Sequence, residues 1–512
     1  MFIKIGMLVV FFAVTIAIGL YCRRHSTDVN GFVLGGRSVG PWLTAFAYGT
    51  SYFSAVVFVG YAGQFGWKYG IAATWAGIGN ALLGSLMAWA FLGRRTRVMT
   101  QHLDSATMPQ FFESRFNSKA LKLAASAIIF IFLIPYTASL YNGLSRLFGM
   151  AFDIDYSVCV IVMAILTGVY VIAGGYMATA INDFIQGIIM IGGIIAVIAA
   201  VLNSQGGFME ALNKLGQVSD PAVSETPGVF ASFFGPDPAG LLGVVILTSL
   251  GTWGLPQMVQ KFYAIKSDKA ISTGTVVSTA FAIIVAGGCY FLGGFGRLFQ
   301  VDVAKEGFDA VIPTMLSGLP TFLIAVVVVL VLAASMSTLS SLVLTSSSTL
   351  TLDFIKGNLV KKMDEKKQLL VMRALIVVFI LISVVLAIVQ YKSSVTFIAQ
   401  LMGVSWGALA GAFLAPFVFG LYWKKATRAS VWCSFAFSTM VMLANIFAKP
   451  LFPAILQSPI NAGAFCMIAG LIIVPVVSLL TPKMDKAYVD QVFSCYDRQV
   501  TVNVTDSIGD NK

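Results

Sequence analysis

Charge is scarce in this chain. Only 11% of its 512 residues are Asp, Glu, Lys or Arg, against about 25% in ordinary soluble domains. With 58% hydrophobic residues and a mean hydropathy of +0.87, a water-soluble fold would have too little polar surface to cover its apolar mass. The same figures exclude disorder, a collagen-like fibre and a disulfide-rich secreted domain. Histidine is nearly absent. His25 and His102, the two present, both lie in polar segments, so a His-based metal site, a Ser-His-Asp set and an intramembrane His relay are all excluded. The six cysteines (22, 159, 289, 433, 466 and 495) show no CxxC or other metal-ligand spacing. Most fall in apolar runs and read as small buried hydrophobes. No GxxxxGK[ST] loop occurs, which excludes an ATP-driven pump within this chain. Gly35 and Gly36 in LGGRS (34–38) do not form a nucleotide fingerprint, and no ring of acids suggests a channel filter.

Long apolar runs are what the chain has in abundance. A membrane-crossing helix needs about 20 apolar residues. Thirteen segments qualify: 3–22, 41–62, 71–93, 120–150, 157–174, 178–203, 238–262, 270–296, 319–352, 368–391, 394–422, 427–448 and 461–481. The expectation is an all-α polytopic membrane protein with thirteen transmembrane helices, its termini on opposite sides of the bilayer. The first run is followed, not preceded, by Arg23 and Arg24, so it reads as a retained span and not a signal peptide. The net charge of +11 does not point to nucleic acid, because 25 of the 33 Lys and Arg fall in the loops after odd-numbered spans and in the tail. By the positive-inside rule those loops are cytoplasmic, the N-terminus external and the C-terminus cytoplasmic, placing the chain in the cytoplasmic membrane.

Two spans are interrupted. Span 2 reads TAFAYGTSYFSAVVFVG (44–60), with Gly49 and a cluster of hydroxyls; span 7 reads LTSLGTWGLPQMVQKF (247–262), with Gly251, Gly254 and Pro256. Pro256 removes a backbone donor and collides with the preceding turn. Broken helices five spans apart and opposite in direction fit two inverted five-helix repeats, each opening with a break. Ordinary kinked helices are the alternative. The chain then divides into a first helix and loop (1–40), one repeat (41–203), an external loop (204–237), a second repeat (238–422), two peripheral helices (423–482) and a polar tail (483–512) expected to be mobile. Among 22 acids Asp183 stands out, inside the apolar sequence YMATAINDFIQGIIM. A carboxylate at that depth usually faces water or a partner, although an acid near a helix N-terminus is also favoured by the dipole. In span 9, Ser337, Thr338, Ser341, Thr345 and Ser348 recur at three- or four-residue spacing and share a face. Packing through small residues accounts for the face as a whole; for Ser337 and Thr338, beside a broken helix, a ligand role toward a hard cation such as Na⁺ is the better reading.

These motifs resemble the sodium:solute symporters, the family of proline, pantothenate, acetate and sodium–sugar carriers. The matching stretches are LGGRS (34–38), the hydroxyl-rich break of span 2, GGYMATAINDFIQGIIM (174–190), GLPQMVQKFYAIKS (254–267), AASMSTLSS (333–341) and GALAGAFLAP (407–416) followed by YWKKAT. The resemblance implies a 5+5 inverted-repeat core of the leucine-transporter type and Na⁺ as the coupling ion. It implies a sodium site made of the backbone carbonyls of Thr50, Phe53 and Ala334 with the hydroxyls of Ser337 and Thr338, and a place for Asp183 on the sodium path. Proline carriers have an Asp where Tyr52 stands and Gln-Pro where this chain has Leu255-Pro256; Gly-Leu-Pro resembles pantothenate and acetate carriers. The expected activity is uptake of a small solute, not catalysis. A carboxylate-bearing solute would sit near the midplane against Ser51, Ser54, Tyr136, Trp253, Pro256 and Gln257, with no Lys or Arg in mid-helix there. The alternatives are proton coupling through Asp183, a sodium-coupled sugar carrier and, more remotely, a non-transporting sensor.

Overall fold

In lipid every backbone N–H and C=O must be satisfied within the protein, which restricts spanning segments to helices and closed barrels. The computed structural model of the chain describes residues 2–23, 27–152, 154–356, 358–360, 362–393 and 398–497. His25, residues 394–397 at the head of the eleventh expected span, and the last part of the tail lie outside them. Among the described residues there are helices, turns and isolated bridges but no strands. The principal helices are α1 (Phe2–Cys22), α2 (Pro41–Tyr52), α3 (Val56–His102), α4 (Met108–Phe116), α5 (Lys119–Phe152), α6 (Tyr156–Ser204), α7 (Pro238–Gly254), α8 (Pro256–Ala264), α9 (Asp268–Leu298), α10 (Thr321–Ile355), α11 (Glu365–Ser393), α12 (Ile398–Tyr422), α13 (Arg428–Phe447), α14 (Pro459–Leu480) and α15 (Lys486–Phe493).

Ten of the described helices are long and apolar enough to cross a membrane, or eleven if α7 and α8 count as one bent span. By this criterion the expected thirteen is not reached. The expected spans at 41–62 and 157–174 do fall on helical residues: α2 has 12 residues before its break, and 157–174 lies within α6. The helix α6 kinks at Gly175, whose φ of 55° and ψ of −149° belong to a backbone region open almost only to glycine. A Cβ there would come within 2.8 Å of the Phe32 carbonyl oxygen.

The two interruptions have nearly the same geometry. Phe53 closes α2 at φ −85°, ψ 125°, and Leu255 closes α7 at φ −77°, ψ 123°. Each donates its N–H to a glycine carbonyl four residues back, Gly49 and Gly251 respectively. Each of those glycines lies under an aromatic ring, Phe281 over Gly49 and Trp406 over Gly251, where an added Cβ would meet the ring at 2.5 Å. Pro256 then opens α8 at a position where its missing N–H is no loss, and α7 and α8 meet at 45°.

Burial separates centre from rim. In its most apolar window α10 is 83% buried and α12 89%, against 22% for α1. Thus α10 and α12 form the core of the bundle and α1 faces lipid. Small residues let backbones touch: a Cβ on Gly66 would lie 2.0 Å from the Gly293 carbonyl oxygen, and one on Gly254 within 2.9 Å of the backbone of α12. Mobility was expected of the tail, but its helix α15 docks on the rest of the molecule. Its Tyr488 hydroxyl donates to the Ser114 carbonyl, and Phe493 stacks on the Arg115 guanidinium at 4.9 Å.

Candidate functional site: an oxygen cage beside a buried ion pair

The break after α2 frees the carbonyls of its last turn, and α10 brings two hydroxyls to them. Ser337 Oγ lies 2.9 Å from the Thr50 carbonyl oxygen and 3.3 Å from that of Ala334. Thr338 Oγ1 lies 3.2 Å from the carbonyl oxygens of Thr50 and Phe53 and 3.1 Å from that of Ala334. All five oxygens named from the sequence therefore meet in one place, and every one of these residues is buried. Two hydroxyls hold two protons between them, while five oxygen–oxygen approaches are made. Most of those approaches thus set lone pair against lone pair. This arrangement suits a hard cation, for which neutral carbonyl and hydroxyl oxygens are the fitting donors.

One turn further along α10, the chemistry changes. Ser341 Oγ is 2.8 Å from Ser51 Oγ and accepts from Lys261 Nζ at 3.0 Å. Lys261 Nζ is 3.8 Å from Asp183 Oδ2 and 5.1 Å from the centre of the Tyr176 ring. Lys261 is 2% exposed and Asp183 fully buried. This gives Asp183 a partner and corrects the expectation that no Lys or Arg lies in mid-helix near the breaks. Lys261 had read as the cytoplasmic end of a span, because hydropathy falls there. In the fold all nine residues of α8 are buried, and the lysine points inward from the short limb after the break. Asp353, at the far end of α10, is a second deep acid that hydropathy alone did not single out. Its carboxylate accepts from Thr107 Oγ1 at 2.6 Å and Gln110 Nε2 at 2.8 Å.

The candidate solute-wall residues are only partly brought together. Tyr136 and Tyr52 each pack against Trp406 with ring centres 5.9 Å apart. The Tyr136 hydroxyl faces Ser54 and the Trp406 indole, and the Tyr52 hydroxyl faces Tyr290, while the side-chain amide of Gln257 makes no hydrogen bond. Trp406 was not among the expected wall residues; its signal was a lone tryptophan among small residues in GVSWGALAG. Trp253 turns away: its indole donates to the Leu83 carbonyl at 2.8 Å and its ring packs on Phe91. Ser54 Oγ accepts from the Val56 N–H at 3.2 Å, starting α3, while Ser51 belongs to the Ser341 contact. Pro256 is buried at the head of α8.

Both ends of this central region are tied. At the end bearing the basic loops, Arg37 donates to the carbonyls of Tyr263 and Ser105, and Val39 exchanges backbone hydrogen bonds with Ala264 and Lys266. At the opposite end Asp309 sits 3.8 Å from Arg146 Nε and accepts from the Ile398 N–H at 3.3 Å. Burial pushes the Asp309 carboxyl above the usual carboxylate range, and Arg146 and the Ile398 N–H pull it part of the way back.

A family model described as the sodium:solute symporter family matches residues 32–437. Sodium/proline symporters from Staphylococcus aureus strains JH9 and COL are each 31% identical over 500 residues, covering 94% of this chain and 92% of their own length. Among solved structures, a Na⁺-coupled sialic acid symporter in a substrate-bound, outward-open state superimposes with a TM-score of 0.75 at 17% identity, over 95% of this chain and 99% of its own. Inward-facing Mhp1 superimposes with a TM-score of 0.50 at 12% identity, over 89% of this chain and 94% of its own.

Proposed function

The chain belongs to the sodium:solute symporter family, and from that premise we propose that it imports a small carboxylate-bearing solute, an amino acid such as proline or a monocarboxylate, across the cytoplasmic membrane. It is a multi-pass membrane transporter and not an enzyme, its fold is of the leucine-transporter type, and Na⁺ is its coupling ion. The proposal assigns Na⁺ to the cage of Thr50, Phe53, Ala334, Ser337 and Thr338. The observation that carries it is the excess of lone pairs over protons among those five oxygens. Inward movement of the ion would be driven by its gradient and by the membrane potential, about 2.3 kcal/mol per charge per 100 mV.

The repeats are assigned to 41–203 and 238–422, a division supported by the matched breaks at Phe53 and Leu255. Alternating access follows if each break is a hinge about which one bundle rocks. The N-terminus is assigned outside and the C-terminus inside from the loop charges. Solute is placed against Tyr52, Tyr136, Trp406 and Gln257, of which the Gln257 amide has no hydrogen-bond partner in the protein. The side-chain amide of Gln257, which has no hydrogen-bond partner, can meet a carboxylate there, and the rings can cover an aliphatic body. Sugar sites need several directed side chains, and few converge here. Proton coupling through Asp183 is disfavoured because that carboxylate already faces Lys261.

Purified protein in proteoliposomes, offered radiolabelled proline, acetate, pantothenate and glucose with and without an inward Na⁺ gradient, tests the substrate class. Na⁺-dependent uptake of a carboxylate, uninhibited by glucose or galactose, is the expected result. Strong competition by a sugar with none by the carboxylates would overturn the substrate class and leave the family assignment intact.

A further inference from the structure

Lys261 takes no part in the sodium cage, yet its ammonium is buried at the cage's edge. The oxygens it faces come from two other helices, Asp183 from α6 and Ser341 from α10, and Ser51 of α2 joins them through its contact with Ser341. The Asp183 carboxylate has no hydrogen-bond partner in the protein other than the Lys261 ammonium it faces at 3.8 Å. A buried carboxylate and two buried hydroxyls are the donors a hard cation takes. Here a side-chain cation reaches that cluster from α8. Ser341 is one helical turn after Ser337, and Ser51 directly follows Thr50, so the cluster and the cage adjoin.

We propose that Lys261 is a tethered cation filling the Asp183–Ser341–Ser51 cluster, so that the chain binds a single Na⁺ and a second ion's place is permanently occupied by the protein itself. This rests on the sodium cage proposed above. Three observations support it. The ammonium is held by a hydrogen bond to Ser341 and faces the carboxylate of Asp183 and the ring of Tyr176, all within the protein. The stem is fixed, because α8 is buried along its whole length. The charge is needed where it lies, since a buried carboxylate without a counter-charge is strongly disfavoured. Lys261 is therefore a positioning residue that sets ion number. Because like charges repel across one helical turn, it also weakens the hold of the cage on its own ion.

Equilibrium binding of ²²Na⁺ to the purified full-length chain counts the ions without requiring a known solute. The wild type is expected to bind one Na⁺. Lys261→Met, purified in sodium buffer to keep the vacated cluster neutralised, is expected to bind two, with the first held several-fold more tightly. Lys261→Met combined with Asp183→Asn returns the count to one, and Lys261→Arg stays at one. Lys261→Gln, which keeps a donor toward Ser341, is carried in parallel in case the methionine variant does not fold, and is also expected to bind two. A wild-type count of two, or a count of one in a folded neutral variant of Lys261 with Asp183 intact, overturns the proposal while the cage stands. A wild-type count of zero removes the cage and this proposal with it.

Discussion

Two oxygen clusters lie one turn apart on α10, and they are held together by different means. The first, around Ser337 and Thr338, contains no formal charge; its members are three carbonyls and two hydroxyls supplied by α10 and the broken end of α2. The second, around Ser341, contains a carboxylate and an ammonium from two further helices. A neutral cage can release its cation without stranding a charge, which suits an ion that must be carried and let go. A charged pair cannot be opened so cheaply. Removing one partner of a buried pair leaves the other uncompensated, at a cost of about 3–5 kcal/mol. On the proposed assignment of Na⁺ to the cage, the reversible work of the transporter sits on the uncharged cluster, and the charged one fixes the frame beside it.

Substitutions that strip the charged cluster should be the most damaging to stability. In sodium-free buffer Lys261→Met should lower the unfolding free energy by about 3–5 kcal/mol, read from denaturant unfolding in detergent. Adding Asp183→Asn should recover most of that loss. If the double variant is no more stable than the single one, the pair is not an energetic unit and the contrast between the clusters collapses. Ser341→Ala should rank next, since it deprives the ammonium of its hydrogen-bond acceptor, and bonds to charged groups contribute about 1.5–3 kcal/mol. The same measurement applies, and a loss equal to that of Lys261→Met would mean that the hydroxyl, not the carboxylate, holds the lysine. Thr345→Val removes a neutral bond to Gln260 Oε1 and should cost only about 0.5–1.5 kcal/mol. Ser340 and Ser347 bond to carbonyls of their own helix, and their replacement by alanine should change stability least of all.

The two clusters were also unequally legible in the sequence. The cage could be read because its hydroxyls stand side by side at Ser337–Thr338, because the break of α2 is marked by Gly49 and a run of hydroxyls, and because the stretch matches a known family. The charged cluster was half legible. Asp183 is visible in an apolar run, but Lys261 follows Pro256 on a short limb where hydropathy declines, so it read as the cytoplasmic end of a span. Its inward direction depends on the 45° bend between α7 and α8, which no local pattern supplies. Trp253 failed for a related reason. Proximity to the break suggested a wall residue, but the helical phase of α7 turns its indole toward Leu83 and Phe91. Trp406, nine residues into α12, faces Tyr52 and Tyr136 instead, a pairing set by how α12 packs against α2 and α5. The breaks themselves were well placed, because glycine and proline act on their own backbone.

The central claim is that the uncharged cage holds the coupling ion, and a sodium-activation curve tests it most directly. Uptake of the solute identified in the panel would be measured in proteoliposomes as external Na⁺ is varied, for wild type, Ser337→Ala, Thr338→Ala, Ser340→Ala and Ser347→Ala. Losing one hydroxyl ligand should raise the half-saturating Na⁺ about tenfold, equivalent to ~1.4 kcal/mol, in the first two variants. The last two should stay near wild type, because their hydroxyls point away from the cage. Unchanged sodium activation in both Ser337→Ala and Thr338→Ala, or full uptake driven by a proton gradient alone, would contradict the assignment.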